Sequence, residues 1–381
     1  MNRYAAAASR HPIAAHAVGE VAGELLDALA GSVPDLLVWF ITPHHVGTIE
    51  DIHGALGSLL TPGVTIGTAA VAVIGGTNEI EDGPGLTALA AVLPEATLTP
   101  VRLAMVEAAD GYRVQGWPEP IGRAHTLLAL GDPFTLDPQR LLDEAQLRNR
   151  HLSVLGGLAS AGTRPGANRL VLDSSVFAEG AVGIAIAGDP GIDAAVSQGC
   201  RPIGEPYTVT SASGRFLETL GGRPALERLR EIAAEASEDD RGLLRRGVHL
   251  GIALDERRDE LARGDFLIRG VVGADRETGA IAVGAEVEVG TTVRFQVRDA
   301  ASADEDLLGT LAGRRAGAAL LFTCNGRGSH LFGVPDHDAA AVQATLGPLP
   351  LAGMACAGEF GPVGGRNHLH GFTASLALLG G

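Results

Sequence analysis

Lysine is missing from this chain: its 29 basic residues are all arginine, set against 45 acidic ones for a formal net charge of -16. That removes a Schiff base with a carbonyl substrate or pyridoxal phosphate, and it removes a P-loop lysine. An acidic surface of this kind also makes nucleic acid and anionic membrane poor partners. Aromatic residues are only 4% of the chain, which argues against a stacking platform for single-stranded nucleic acid and requires an aliphatic core. Three cysteines, Cys200, Cys324 and Cys356, are too few for a disulfide framework, and none stands in a CxxC pair, so a reducing compartment is expected. No uncharged apolar run reaches the roughly eighteen residues of a membrane span, and Arg10, His11 and Pro12 interrupt the N-terminal alanine run before a signal peptide develops. The expected location is the cytoplasm.

What is present is ample core material. Hydrophobic residues are 46% of 381, and a chain of this length is expected to form two domains or two halves. Ala14, Val18, Val21, Leu25 and Leu29 recur at helical spacing, predicting an amphipathic helix over about 11–30 that ends at Gly31. Leu36 to Thr42 then reads as a buried strand, Thr48 to Asp51 as a capping box opening a helix through Leu60, VTIGTAAVAVIGG as one strand, and GLTALAAVL as another beyond the acidic turn Glu79 to Gly83.

This order recurs, and the repetition is the most informative feature of the chain. The second copy is TLLALG, a helix capped at Asp137-Pro138, LSVLGGLASAG and AVGIAIAG; the third is AALLFTC, a helix from about Asp338 to Leu346, LPLAGMACAGEFGPVGG and FTASLALL. Glycines recur near the second strand of each copy: Gly67 and Gly75, Gly156 and Gly157, Gly353 and Gly358. Between copies two and three the character changes. Residues 207–220 alternate as strands, Pro224 opens a helix, Glu235 to Arg246 is a charged exposed segment, and Val287 to Val297 reads as a half-buried hairpin with Arg294, Gln296 and Arg298 on its opposite face. Ser302 to Glu305 reads as a capping box. The fold class that follows is mixed α+β: two pseudo-repeated halves, each a β-sheet flanked by helices.

GxGxxG in a strand-to-helix setting, GxxxxGK[ST], HExxH and GxSxG are all absent, so the common nucleotide, zinc-protease and hydrolase readings lose their sequence support. Unusual residues concentrate instead in the last third: Arg269, Arg298 and Asp299, Cys324-Asn325-Gly326-Arg327-Gly328, Glu359, and Asn367 to His370. Cys324 ends an apolar strand beside a glycine-flanked arginine, a setting that could surround an anion or stabilise a thiolate. A tight turn with Arg327 paired to a carboxylate such as Glu359, and Cys324 as an apolar filler, fits the same residues. His368 and His370 would face one side of a strand, and either a metal pair or surface histidines fits that spacing.

These segments resemble the FIST sensory family, in which N- and C-terminal FIST domains stand in tandem. The matching stretches are Leu36 to Thr42 with VTIGTAAVAVIGG, SQGCRPIGEPYTVT, residues 266–300, LLFTCNGRG and residues 349–378. The expected division is an N-terminal helix over 1–30, followed, as the resemblance implies, by a FIST N-like domain over 31–222 and a FIST C-like domain over 223–381. The resemblance also implies a ligand-sensing module for small metabolites such as amino acids, and it brings no catalytic residue set; small carboxylates are expected as ligands too, with no cofactor or metal. Its strongest positions here are Gln198, Gly199, Cys200, Arg298, Asp299, Cys324, Gly326, Arg327, Glu359 and Gly361.

The expected site is a cleft between the halves built from Arg298, Asp299, Cys324, Asn325, Arg327, Glu359, Gln198 and Cys200. Arg298 and Arg327 would hold a carboxylate there, and Asp299 or Glu359 an amino group. Arg327 and Glu359 are expected to lie near one another, at the ends of paired parallel strands. With no kinase, cyclase or F-box segment attached, output is expected to pass through a separate partner protein, or the chain to act as a stand-alone binding protein. The alternatives are a cysteine-dependent enzyme centred on Cys324 and a ligand-free interaction scaffold.

Overall fold

A computed structural model describes residues 2–380 apart from 110, 120, 189, 259, 260 and 262. The first copy of the repeat runs β1 (Arg3–Ser9), α1 (Ala14–Ala28), β2 (Leu36–Ile41), α2 (Ile49–Leu60), β3 (Val64–Ala69), a hairpin of β4 (Val73–Gly75) and β5 (Asn78–Ile80), then β6 (Leu86–Val92). The second runs β7 (Ala96–Ala108), β8 (Gly111–Gln115), β9 (Ala124–Gly131), α3 (Pro138–Arg148), β10 (Ser153–Leu158), the hairpin β11 (Leu170–Leu172) and β12 (Ser175–Phe177), then β13 (Ala181–Gly188). The third opens with β14 (Ile192–Gln198) and is interrupted by an insertion. The insertion holds β15 (Cys200–Pro202), β16 (Tyr207–Ser213), β17 (Phe216–Leu220), β18 (Arg223–Pro224), α4 (Ala225–Glu235), α5 (Glu238–Arg246), β19 (His249–Ala253), β20 (Phe266–Ala274), β21 (Ile281–Val283) and β22 (Thr292–Arg298). The copy then resumes with α6 (Ala300–Leu311), β23 (Ala318–Cys324), α7 (Ser329–Phe332), α8 (His337–Leu346), β24 (Leu351–Cys356), the hairpin β25 (Glu359–Val363) and β26 (Arg366–His370), and β27 (Thr373–Leu379).

Two compact units result. The large one holds residues 1–196, 307–369 and 373–381, and the small one holds 197–306 and 370–372. Within the large unit each copy builds the same sheet: its first strand pairs with its last, the last lies antiparallel to the strand before the central helix, and that strand lies parallel to the one after it. The hairpins are exchanged cyclically. β4–β5 of the first copy joins β24 of the third, β11–β12 of the second joins β3 of the first, and β25–β26 of the third joins β10 of the second.

Glycine makes the central pairing possible. Gly67, Gly156 and Gly353 sit opposite Trp39, Ala129 and Leu321 on the preceding parallel strand. A Cβ at Gly156 or Gly353 would lie 2.0 Å from the Ala129 or Leu321 carbonyl oxygen, a distance no side chain can occupy. The inner faces of the three sheets share one apolar core around Phe40, Leu130, Leu155, Phe322 and Met354, with Phe40 and Phe322 edge to face at 6.1 Å. Helices α1 and α2 cover the outer face of the first sheet, α3 the second, and α6 with α8 the third.

In the small unit β22, β16, β17, β21, β20 and β19 pair antiparallel in that order, and β19 closes on β22. The ring is a small closed barrel, its interior filled by Val209, Leu217, Leu250, Ile281, Val293, Phe295 and Val297.

Several sequence expectations need correction. The opening segment is not helix throughout: Arg3–Ser9 is a strand along β6, and its alternate alanines are buried. VTIGTAAVAVIGG is two strands in different sheets, as is LPLAGMACAGEFGPVGG, because in each the chain leaves one sheet to lend its hairpin to another. Thr48 caps nothing; it ends a 3-10 turn that leads directly into α2, and its hydroxyl donates to the His45 carbonyl. Val287 to Val297 yields the single strand β22. Helix α6 starts at Ala300, ahead of Ser302, since the Asp299 carbonyl already accepts the first helical bond from Ala303.

Candidate functional site

The eight expected site residues divide between the units. Cys324, Asn325, Arg327 and Glu359 belong to the large one; Gln198, Cys200, Arg298 and Asp299 belong to the small one.

In the large unit, Cys324 ends β23 in register with Cys356 on parallel β24, and the Asn325 amide continues that ladder by donating to the Cys356 carbonyl at 2.9 Å. The chain then turns, the Arg327 amide donating to the Cys324 carbonyl. Gly328 adopts φ +62°, where a Cβ would meet the Glu81 carboxylate at 2.8 Å. This lets Ser329 place its amide (2.9 Å) and hydroxyl (2.6 Å) on the two oxygens of Glu81. The turn and the β4–β5 hairpin thus come together through the hairpin exchange. Between them lies a cavity of about 220 Å³ lined by Glu79, Glu81, Thr323, Cys324, Asn325 and Arg327, with Val71, Ala72, Ile74, Gly328 and Ala355.

Arg327 is 3% exposed. Its Nε and Nη2 donate to Asp338 Oδ2 and Oδ1 at 2.7 and 2.8 Å, a bidentate pair closed off from solvent at the start of α8. Burial pushes the Asp338 carboxyl up, but the guanidinium, helped by His337, overcomes this and holds it at about 2. Nη1 of Arg327 is buried and has no hydrogen-bond partner among the described residues. Glu79 is 7% exposed; one oxygen accepts from the Ala339 amide at 3.0 Å. Burial, and then the Asp338 charge, push its carboxyl up to about 7. The cavity lining therefore brings together a guanidinium, an exposed amide, a half-buried thiol and two carboxyl groups.

Glu359 does not line this cavity. It opens β25, is fully buried, and its Oε2 accepts from the Thr373 hydroxyl at 2.6 Å. Its pull on the Arg327 guanidinium is smaller than that of Asp338. The carboxylate partner of Arg327 is Asp338. Glu79, Glu81 and Asp338 were not singled out as site residues from sequence, and the three residues of β5 carry no pattern that marks Glu79.

In the small unit, Asp299 is committed. Its carboxylate accepts from Arg201 Nε at 2.8 Å, from the Ser302 hydroxyl at 2.8 Å and from the Ala301 amide at 3.3 Å. Cys200 is fully buried against Phe266 and Ile268, in register with Arg298. Gln198 Nε2 donates to the Phe266 carbonyl at 2.7 Å. Among the described residues no cluster of three or more metal-ligating side chains converges, and Asn367, beside the two histidines, instead bridges the Val154 amide and the Leu152 carbonyl.

Comparison with known proteins divides the chain at a different place, inside the small unit. The FIST N domain matches residues 35–223 and the FIST C domain residues 225–362. An uncharacterized protein of Mycobacterium tuberculosis strain CDC 1551 is 44% identical over 376 residues, covering 97% of this chain and 96% of the relative. Another, of strain H37Rv, is 43% identical over 383 residues, covering 97% and 98%. A crystal structure of a cyanuric acid hydrolase from A. caulinodans aligns over 100% of both chains at 12% identity with a TM-score of 0.29, a likeness too slight to carry any argument. The chain belongs to the FIST family, with an N-terminal FIST domain followed by a FIST C domain.

Proposed function

We propose that this protein is a small-ligand sensor of the FIST type and that the large-unit cavity takes a small carboxylate carrying an amino group. The observation that carries the reading is the buried Arg327, a residue of the cavity lining whose Nη1 has no hydrogen-bond partner among the described residues. A buried guanidinium N–H without an acceptor costs roughly 1–3 kcal/mol, more for a charged group, which a ligand oxygen would recover. Asn325 stands beside it for the second oxygen, and Glu79 and Glu81 face an ammonium group. The volume lies below the roughly 300–1,000 Å³ of pockets for drug-sized ligands, which restricts the ligand to metabolite size.

The division into a FIST N-like part over 31–222 and a FIST C-like part over 223–381 is proposed as the functional one, with output through a separate partner protein in the cytoplasm. No helix among the described residues is long and apolar enough to cross a membrane. The test is a thermal-shift screen over amino acids and small carboxylates; a ligand at 100 times its dissociation constant adds about 2.7 kcal/mol. No shift from any compound, in folded protein shown to be ligand-free, refutes the reading.

A second reading, cysteine-dependent chemistry, is favoured by Cys324 sharing the cavity with Glu79, whose carboxyl at about 7 suits a general base. It predicts fast alkylation of Cys324 at neutral pH and loss of turnover in Cys324→Ala; an inert thiol excludes it.

A further inference from the structure

The outer face of the small barrel carries a second concentration of polar groups that the cavity above does not use. On β22, Gln296 and Arg298 point to the same side, away from the interior residues Phe295 and Val297. Across the ladder on β19, His249 lies in register with Gln296, and Gly270 on β20 lies in register with His249. Arg269, between Ile268 and Gly270, alternates to the opposite face. Phe372 closes one side, its ring 4.3 Å from that of His249 and 5.4 Å from the Arg298 guanidinium carbon. Gly251 makes room: a Cβ there would lie 2.7 Å from Gln296 Nε2.

These groups are buried, Gln296 being 1%, Gln198 4% and His249 7% exposed, and they are unmatched. Among the described residues no hydrogen-bond partner meets Gln198 Oε1, His249 Nδ1, either amide atom of Gln296, or Nε and Nη2 of Arg298. Ordinary protein interiors leave few such atoms, and six on one patch call for an explanation. Nε and Nη2 form the edge of a guanidinium that takes both oxygens of a carboxylate in plane. Gln296 and His249 add a donor and an acceptor a short distance along the same face, and Gln198 Oε1 adds another acceptor.

We propose that the small unit holds its own binding site for a small carboxylate with an adjacent carbonyl or hydroxyl, a 2-oxo or 2-hydroxy acid. The carboxylate sits on the Arg298 fork, the second oxygen on Gln296 and His249, and the body of the ligand against Phe372. A single charge suits the site better than a phosphate dianion. Arg298 supplies its positive charge, while burial, and then Arg298 itself, push the His249 imidazole down to about 4 and keep it neutral near pH 7.

The experiment uses the full chain, with pyruvate, lactate and inorganic phosphate as probes, followed by histidine NMR and calorimetric titration. Pyruvate or lactate is expected to bind, to raise the His249 pKa by neutralising Arg298, and to bind about tenfold to a hundredfold more weakly in Arg298→Lys, which keeps the charge and loses the fork. Unchanged affinity in Arg298→Lys overturns the proposal, as does a His249 signal that no probe moves at millimolar concentration, which would mean the patch binds water only. Preference for phosphate overturns the stated ligand class. Binding abolished by Arg327→Lys but not by Arg298→Lys assigns the ligand to the large-unit cavity, refuting this site while leaving the proposed function intact.

Discussion

Replacing Asp338 with asparagine should be among the most damaging single-atom-scale changes available in this protein. The Arg327–Asp338 pair is fully buried at both side chains and joined by two bonds of 2.7 and 2.8 Å. The amide keeps the shape but removes the charge, and it turns an N–H toward one of the two guanidinium donors. Breaking a buried ion pair from one side costs about 3–5 kcal/mol. Glu79 softens the loss, because the Asp338 charge is part of what holds its proton; once that charge is gone Glu79 ionises more readily and partly compensates Arg327. The expectation is therefore about 3 kcal/mol at pH 8, a large share of the roughly 5–15 kcal/mol that keeps a domain folded. Urea unfolding followed by tryptophan fluorescence is suited to this, since Trp39 and Trp117 both belong to the large unit. The double change Arg327→Met with Asp338→Leu should recover most of the loss, as apolar replacements of buried pairs do. A cost below about 1 kcal/mol for Asp338→Asn, or a double variant as unstable as the single, would refute the claim that the unpaired guanidinium is the source of the penalty.

Two further outcomes follow from the titrating groups. Glu79 is raised from 4.5 to about 7, so the folded state retains a proton that the unfolded state gives up. The stability this group confers is complete below about 4.5 and is lost as pH rises to 7, by about 3 kcal/mol. His249, lowered from 6.5 to about 4, acts oppositely: its contribution is present above 6.5 and lost as pH falls to 4. Glu79→Gln should abolish the first slope and leave the second, read as the pH dependence of urea midpoints; parallel profiles for wild type and variant would contradict this. Among the cysteines, iodoacetamide should label half-buried Cys324 first, while Cys356, whose thiol is pushed well up by burial and then by Glu359 and Cys324, and fully buried Cys200 stay protected until unfolding. Peptide mass spectrometry gives the order, and early modification of Cys356 would refute it.

Much of the fold is legible in the sequence where a local pattern decides it. The all-apolar run LLVWFI, the Asp137-Pro138 start of α3 with its side chain on the Arg140 amide, and AALLFTC ahead of the His337–Leu346 helix are each readable in a short window. The threefold repetition is readable too. The hairpin exchange is not, because strands of three residues carry almost no periodicity, and runs such as VTIGTAAVAVIGG contain no charged residue, and none polar between Ala69 and Val73, to mark the point where the chain changes sheets. That exchange builds the cavity by bringing Glu79 and Glu81 to the Arg327 turn, so the arginine side of the site was visible and the acidic side was read as an ordinary turn. Asp338 escaped notice because a carboxylate in a first helical turn is usually explained by the helix itself. Gln296 was correctly assigned to the face opposite Val293 and Val297, but nothing local reveals that this face is buried.

The central claim is that the Arg327 Nη1 donor is the anchor of a ligand. The most direct measurement is a crystal structure of the protein soaked with the carboxylate giving the largest thermal shift. The account predicts its carboxylate within hydrogen-bond distance of Nη1, about 2.7–3.2 Å, and any ammonium group against Glu79 or Glu81. A ligand bound with no contact to Arg327, or a cavity filled only by water at saturating ligand, would contradict it.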